Sequence, residues 1–127
     1  LALLCGIDII EINRIEKSLD QKFKNRIFTE GEIIYCESKK INRFKSYAAR
    51  FAAKEAVFKA LDAGRGSRIR WKDIEVRNTE LGYPQIILSG NALEMYKKIK
   101  GTCISISLSH CESYAVASAV VTYEEDI

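Results

Sequence analysis

Residues 50–61 read RFAAKEAVFKAL, and this stretch decides the fold. The spacing predicts a helix that begins near Ser46 and ends before Gly64. At about 100° per residue, Ala49, Ala52, Ala53, Ala56 and Ala60 fill one side, where a second element can approach closely. Phe51, Glu55 and Phe58 share another narrow sector, with Lys59 beside them. Glu55 is out of place there. As a solvated i, i+4 pair with Lys59 it adds only about 0.2–0.5 kcal/mol. The flanking phenylalanines imply instead that it is shielded from water, where an unpaired charge is costly.

Asp8 poses the same problem inside the apolar run LALLCGIDII, residues 1–10. Two explanations stand side by side. Each carboxylate is satisfied locally, Asp8 by backbone donors at a strand end. Alternatively, both bind one divalent cation, and two carboxylates with retained waters suit Mg²⁺ when phosphate oxygens complete its shell. Phosphate chemistry fits the neighbourhood. Lys59 lies one turn after Glu55, and residues 62–68 (DAGRGSR) offer the amides of Gly64 and Gly66 together with the cations of Arg65 and Arg68. Such a turn also simply ends helices. His110, the one histidine, closes the run ISLSH beside Ser109.

Outward from the central helix, residues 3–10 are expected to form a buried strand and residues 12–27 one amphipathic helix. A short helix follows Thr29, since Thr29 and Glu32 have capping-box spacing. Strands are expected at 71–76 and 84–88 as a hairpin, a helix at 91–99 stopped by Gly101, and strands at 103–109 and 114–121. The sum is an α+β fold, with helices on a mainly antiparallel sheet. On the expected first helix Ile12, Ile15, Leu19 and Phe23 face inward, and Arg14, Lys17, Gln21 and Lys24 form a basic stripe opposite.

The 127 residues, 47% hydrophobic and 29% charged, suit one domain over 1–127 and exclude a disordered chain. A net charge of +3 is too mild to imply nucleic acid. No apolar run is long enough to span a bilayer, so no membrane partner is expected. Four cysteines (Cys5, Cys36, Cys103, Cys111) show no metal or disulfide spacing. With no export signal they read as reduced thiols in the cytoplasm, most of them small core residues.

Four segments in this order resemble the holo-[acyl-carrier-protein] synthases, the small bacterial 4′-phosphopantetheinyl transferases. GIDIIEINRIE resembles the family's opening motif, RFAAKEAVFKAL its central signature, WKDIEVRN with GYPQIIL its middle hairpin, and ISLSHCESYAVASAVV its C-terminal hairpin. The resemblance covers almost the whole chain. It implies Asp8 and Glu55 as metal ligands for Mg²⁺ and Lys59 as a phosphate contact, with Asp8, Glu55 and Lys59 catalytic. It assigns coenzyme A to Lys59, Gly64, Arg65, Gly66, Ser109 and His110. It also implies transfer of 4′-phosphopantetheine from coenzyme A to a serine of apo-acyl carrier protein, with release of adenosine 3′,5′-bisphosphate. A homotrimer with sites at subunit interfaces follows from it, as does docking of the acidic carrier on Arg14, Lys17, Gln21 and Lys24. No nucleic acid beyond the nucleotide substrate is expected. Three departures are DAGRG, where relatives often carry more glycine, GYP in place of a polar residue before proline, and Cys111 after His110.

Two rivals compete. A hydrolase using Ser109 or Cys111 with His110 is disfavoured, because neighbours on a strand point to opposite faces. A non-enzymatic RNA- or protein-binding module using the basic helix leaves Asp8 and Glu55 without a purpose and lacks interleaved exposed aromatics.

Overall fold

The computed structural model describes residues 1–125. The order is β1 (Ala2–Glu11), α1 (Ile12–Ser18), α2 (Gln21–Ile27), α3 (Glu30–Glu37), α4 (Arg43–Asp62), β2 (Ile74–Asn78), β3 (Pro84–Leu88), α5 (Gly90–Lys98), β4 (Gly101–His110) and β5 (Tyr114–Tyr123). Both sheets are antiparallel: three strands in the order β1-β5-β4, and the hairpin β2-β3. The fold is α+β, as the sequence implies.

Helix α4 lies across the inner face of the larger sheet. Its small side chains Ala52, Ala53, Ala56 and Ala60 are buried against Ala117, Ala119 and Val121. Small residues on both partners allow a very short separation, and Gly6 on β1 takes it to the limit. A β-carbon at Gly6 would lie 1.9 Å from the carbonyl oxygen of Ala56. A second cluster joins Ile12 and Ile15 of α1 to Ile27, Phe28 and Tyr47.

An ion pair fixes how α4 is rotated. Lys54 and Glu32 are both fully buried, with Nζ donating to Glu32 Oε1 at 2.7 Å and to the Ile74 carbonyl at 2.6 Å. Glu32 Oε2 accepts from the amide of Val76 at 2.8 Å. Thr29 and Glu32 close the expected capping box, so one carboxylate caps α3 and pins both α4 and β2. Burial pushes the Lys54 ammonium down, against the pull of Glu32. Removing one partner of such a pair strands a charge in the interior.

Several expectations need correction. The helix over 12–27 is two helices, because Asp20 accepts from the amide of Phe23 at 2.8 Å and caps a new start. The basic stripe is thereby divided: Arg14 and Lys17 are exposed on α1, while Gln21 on α2 is bonded to Asn25. Lys24 is engaged within the molecule, 3.0 Å from Glu37 and 5.7 Å from the Tyr47 ring centroid. Strand β1 is an edge strand with one face uncovered, not a buried one: Leu3, Ile7 and Ile9 are 61%, 65% and 64% exposed. Residues 71–73 form a 3₁₀ turn held by Asp73, which accepts from the amide of Arg70, so β2 starts at Ile74. All four cysteines are free, and only Cys36 is buried.

The Gly6 contact is testable. Gly6→Ala drives a methyl into backbone that cannot yield, and we expect a loss of about 3 kcal/mol in urea denaturation. A variant as stable as the parent would contradict the close β1–α4 contact.

Candidate active site

Alternation along β1 turns Leu4, Gly6, Asp8 and Ile10 toward α4. Two residues after Gly6, where β1 and α4 nearly touch, Asp8 reaches the α4 face that carries Glu55 and Lys59. Lys59 Nζ donates to Asp8 Oδ1 at 3.0 Å and to the Ile7 carbonyl at 3.1 Å. The Asp8 side chain is 16% exposed and that of Lys59 49%. Glu55 is half-buried, and its carboxyl is pushed up first by burial and then by the charge of Asp8, with Lys59 opposing. The two acids and the lysine thus form one electrostatic group. Beside Glu55 lies a small apolar slot, roughly 180 Å³, walled by Phe58, Ile69, Trp71 and Ile74.

Among the described residues no three His, Cys, Asp or Glu side chains cluster as a metal cage. Two carboxylates facing one cationic position fit Mg²⁺ nonetheless, since that ion takes one or two protein carboxylates and keeps waters or phosphate oxygens. An ammonium bonded to Asp8 and a neighbouring carbonyl indicates that the spot attracts positive charge.

Ser109 and His110 lie elsewhere. Ser109 is opposite Val116 and His110 opposite Ala115. His110 lines a cleft of roughly 460 Å³ with Tyr35, Lys39, Lys45, Ser46, Ala49 and Arg50. On α4, Arg50 is about 140° around the helix from Glu55, so this cleft and the Asp8–Glu55–Lys59 group occupy opposite faces of α4. Arg50 is buried, its guanidinium is 3.8 Å from the Tyr35 ring centroid and bonded to Asn78, and its Nε has no partner. A buried, incompletely paired guanidinium in a cleft with Lys39, Lys45 and His110 is an anion-binding arrangement. Sequence reasoning missed these three cations. The signal was present at Arg50, a charge set among the alanines of α4.

The glycine turn is not an open cradle. Asp62 accepts from the hydroxyl and amide of Ser67, which hold its carboxyl below the usual carboxylate range. Ala63, Gly64 and Gly66 take left-handed backbone at φ 45°, 78° and 69° to make that loop. The amide of Ser67 therefore faces an internal carboxylate, and the Arg65 side chain donates to the Leu61 carbonyl.

The 4′-phosphopantetheinyl transferase superfamily model matches residues 4–119. The holo-[acyl-carrier-protein] synthase of Ruminiclostridium cellulolyticum is 48% identical over 123 residues, covering 94% of this chain and 92% of that protein. That of Moorella thermoacetica is 45% identical over 121 residues, covering 94% and 93%. The chain belongs to the holo-[acyl-carrier-protein] synthase family of 4′-phosphopantetheinyl transferases. The crystal structure of the Bacillus anthracis synthase in complex with coenzyme A (3′,5′-ADP) superposes with a TM-score of 0.77 at 40% identity, covering 97% of this chain and all of that one. The Helicobacter pylori synthase in complex with coenzyme A superposes at 0.79 with 34% identity, covering 94% of this chain and 100% of that one.

Because its folded-state pKa is raised, ionised Glu55 costs stability once the pH exceeds the ordinary glutamate value of about 4.3. The cost grows as pH rises through the raised value. Glu55→Gln is therefore expected to melt higher than the parent at pH 7, with the gap closing near pH 4. Thermal melts at the two pH values check this, and a lower melting temperature at pH 7 would contradict it.

Proposed function

We propose that this chain transfers the 4′-phosphopantetheine group from coenzyme A to a serine of apo-acyl carrier protein, with Mg²⁺ held by Asp8 and Glu55. The observation that carries the reading is the meeting of Asp8, Glu55 and Lys59 at the β1–α4 contact. The serine oxygen bonds to the phosphorus that bears the pantetheine arm. The diphosphate bridge breaks, and adenosine 3′,5′-bisphosphate leaves. When bound, Mg²⁺ supplies Lewis-acid stabilisation of charge on the diphosphate. Lys59, half-exposed on a flexible stem, opposes the charge that grows on the leaving phosphate. The proton the serine loses passes to a carboxylate or a water of the site.

The nucleotide's remaining phosphate finds its complement in the cleft of Lys39, Lys45, Arg50 and His110. Since α4 separates that cleft from Asp8 and Glu55 of the same chain, one molecule of coenzyme A draws on two subunits. The uncovered face of β1 gives those subunits a surface on which to meet. Leu3, Ile7 and Ile9 there are flanked by Val116 and Val120 of β5, an apolar patch of the kind that marks assembly. A cyclic homotrimer with three shared sites, the number being carried by the family resemblance, satisfies both features. Carrier docking falls to α1, which starts four residues after Asp8. Its exposed Arg14 and Lys17 complement an acidic partner, while Gln21 and Lys24 are tied within α2 and to Glu37. Free thiols suit a reducing compartment such as the cytoplasm.

Incubation with apo-acyl carrier protein, coenzyme A and Mg²⁺, followed by mass measurement, tests the activity, the expected result being one phosphopantetheine gained on the carrier. Asp8→Ala and Glu55→Ala should fold yet lose at least about 10²-fold in kcat. An unmodified carrier would overturn the reading. Shared sites predict complementation: mixing inactive Glu55→Ala and His110→Ala subunits by random assembly restores about a quarter of the sites, whereas single-chain sites restore none. Arg14→Glu with Lys17→Glu should raise KM for the carrier about tenfold at low salt, with KM for coenzyme A unchanged.

A further inference from the structure

Lys59 has two possible partners. It bonds to Asp8 Oδ1 and to the Ile7 carbonyl, yet its proposed work is on a phosphate. Two of its three N–H donors are taken by these oxygens of Asp8 and Ile7, and its charge stands where a cation bound to Asp8 would stand. We propose that Lys59 is a placeholder cation: it competes with the divalent metal for Asp8, and coenzyme A relieves that competition by drawing the ammonium onto its phosphates. This rests on the reading of Asp8 and Glu55 as the metal site.

The physical basis is the crowding of charge around Glu55. Two carboxylates beside one another repel, and Glu55 has already lost part of its hydration. Some cation is favoured between them whether or not nucleotide is present. Lys59 provides one from the same helix, one turn after Glu55, so no long rearrangement is needed. A divalent ion arriving alone must displace that ammonium from Asp8 or bind beside it against charge repulsion. A phosphate arriving with the metal gives the ammonium a better partner, and the two events favour each other. Coupling of this kind is reciprocal: whatever coenzyme A adds to metal affinity, the metal adds to coenzyme A affinity. Lysine suits the exchange better than arginine, because a point charge with rotating donors changes partners, whereas a guanidinium locks onto a carboxylate in a planar fork. Lys59 therefore shapes the order of assembly of the site as well as its chemistry.

The test is Mn²⁺ binding to the full chain, followed by the electron paramagnetic resonance of the free ion, with no coenzyme A present. Lys59→Met keeps the length of the side chain and removes its charge. Its Mn²⁺ dissociation constant is expected to fall about three- to fivefold, the scale of a half-exposed ion pair. Lys17→Met, which removes a cation from neighbouring α1, is expected to change it less than twofold. Asp8→Asn should abolish the binding in both backgrounds. An unchanged or weaker affinity in Lys59→Met, or an equal gain in Lys17→Met, overturns the placeholder role while leaving the metal site intact. Binding that ignores Asp8→Asn overturns the metal site and the placeholder role together.

Discussion

The contact between Gly6 and the carbonyl of Ala56 sets the geometry of everything around it. A strand and a helix rarely approach so closely that a β-carbon would be forbidden. Here both sides yield: β1 gives up a side chain, and α4 offers a stripe of alanines. With that distance set, β-strand alternation places Asp8 two residues on, still facing the helix, at the turn of α4 that carries Glu55 and Lys59. The acidic pair is thus a by-product of small-residue packing. The rotation of α4 is set separately, by Lys54 buried on Glu32 immediately before Glu55. Translation and rotation of the helix each have their own device, and both act within a turn of Glu55.

A single helix that presents two chemical faces imposes a division of labour. The acids occupy the β1 side of α4, while Arg50, with Lys45 one element-end away, opens toward β4 and His110. In the proposed reading one molecule of coenzyme A meets both faces of this 20-residue helix by drawing on two copies of the chain. An uncovered apolar strand at the sheet edge, next to the acids, is the complementary feature. Taken singly, either one has a bland explanation. Together they fit the proposed site shared between copies, whose joining surface would run along the strand bearing Asp8.

The central helix, the two hairpin regions, the capping box of Thr29 and Glu32 and the misfit of Glu55 were all legible in the sequence, because each rests on local periodicity or capping. What escaped depended on partners distant in the chain. Asp20 reads as an ordinary polar residue inside a helical period until its carboxylate is seen to cap Phe23. Lys54 reads as surface charge until Glu32, 22 residues away, is seen beneath it. The run at residues 3–10 is apolar on both faces, and composition cannot tell a strand buried by its own chain from one left for another to cover. Cys5 and Cys103 were misread for that reason: they sit on the outward faces of β1 and β4. Asp62 shows the opposite error. The glycines around it read as a cradle awaiting an anion, whereas the loop closes on an anion of its own.

That internal anion holds the turn after α4 together. A loop of left-handed residues leaves several amides pointing inward, and these need an acceptor. A carboxylate from the last residue of α4 satisfies them without any ligand, so the loop is fixed before substrate arrives. The consequence falls on Lys59, one turn earlier. With α4 ended at Asp62 and Arg65 turned back onto Leu61, Lys59 on Asp8 and the exposed Arg70 by the slot of Glu55 are the cations beside the acids. A frame fixed on both sides leaves the proposed exchange of partners to the Lys59 side chain, which is half-exposed.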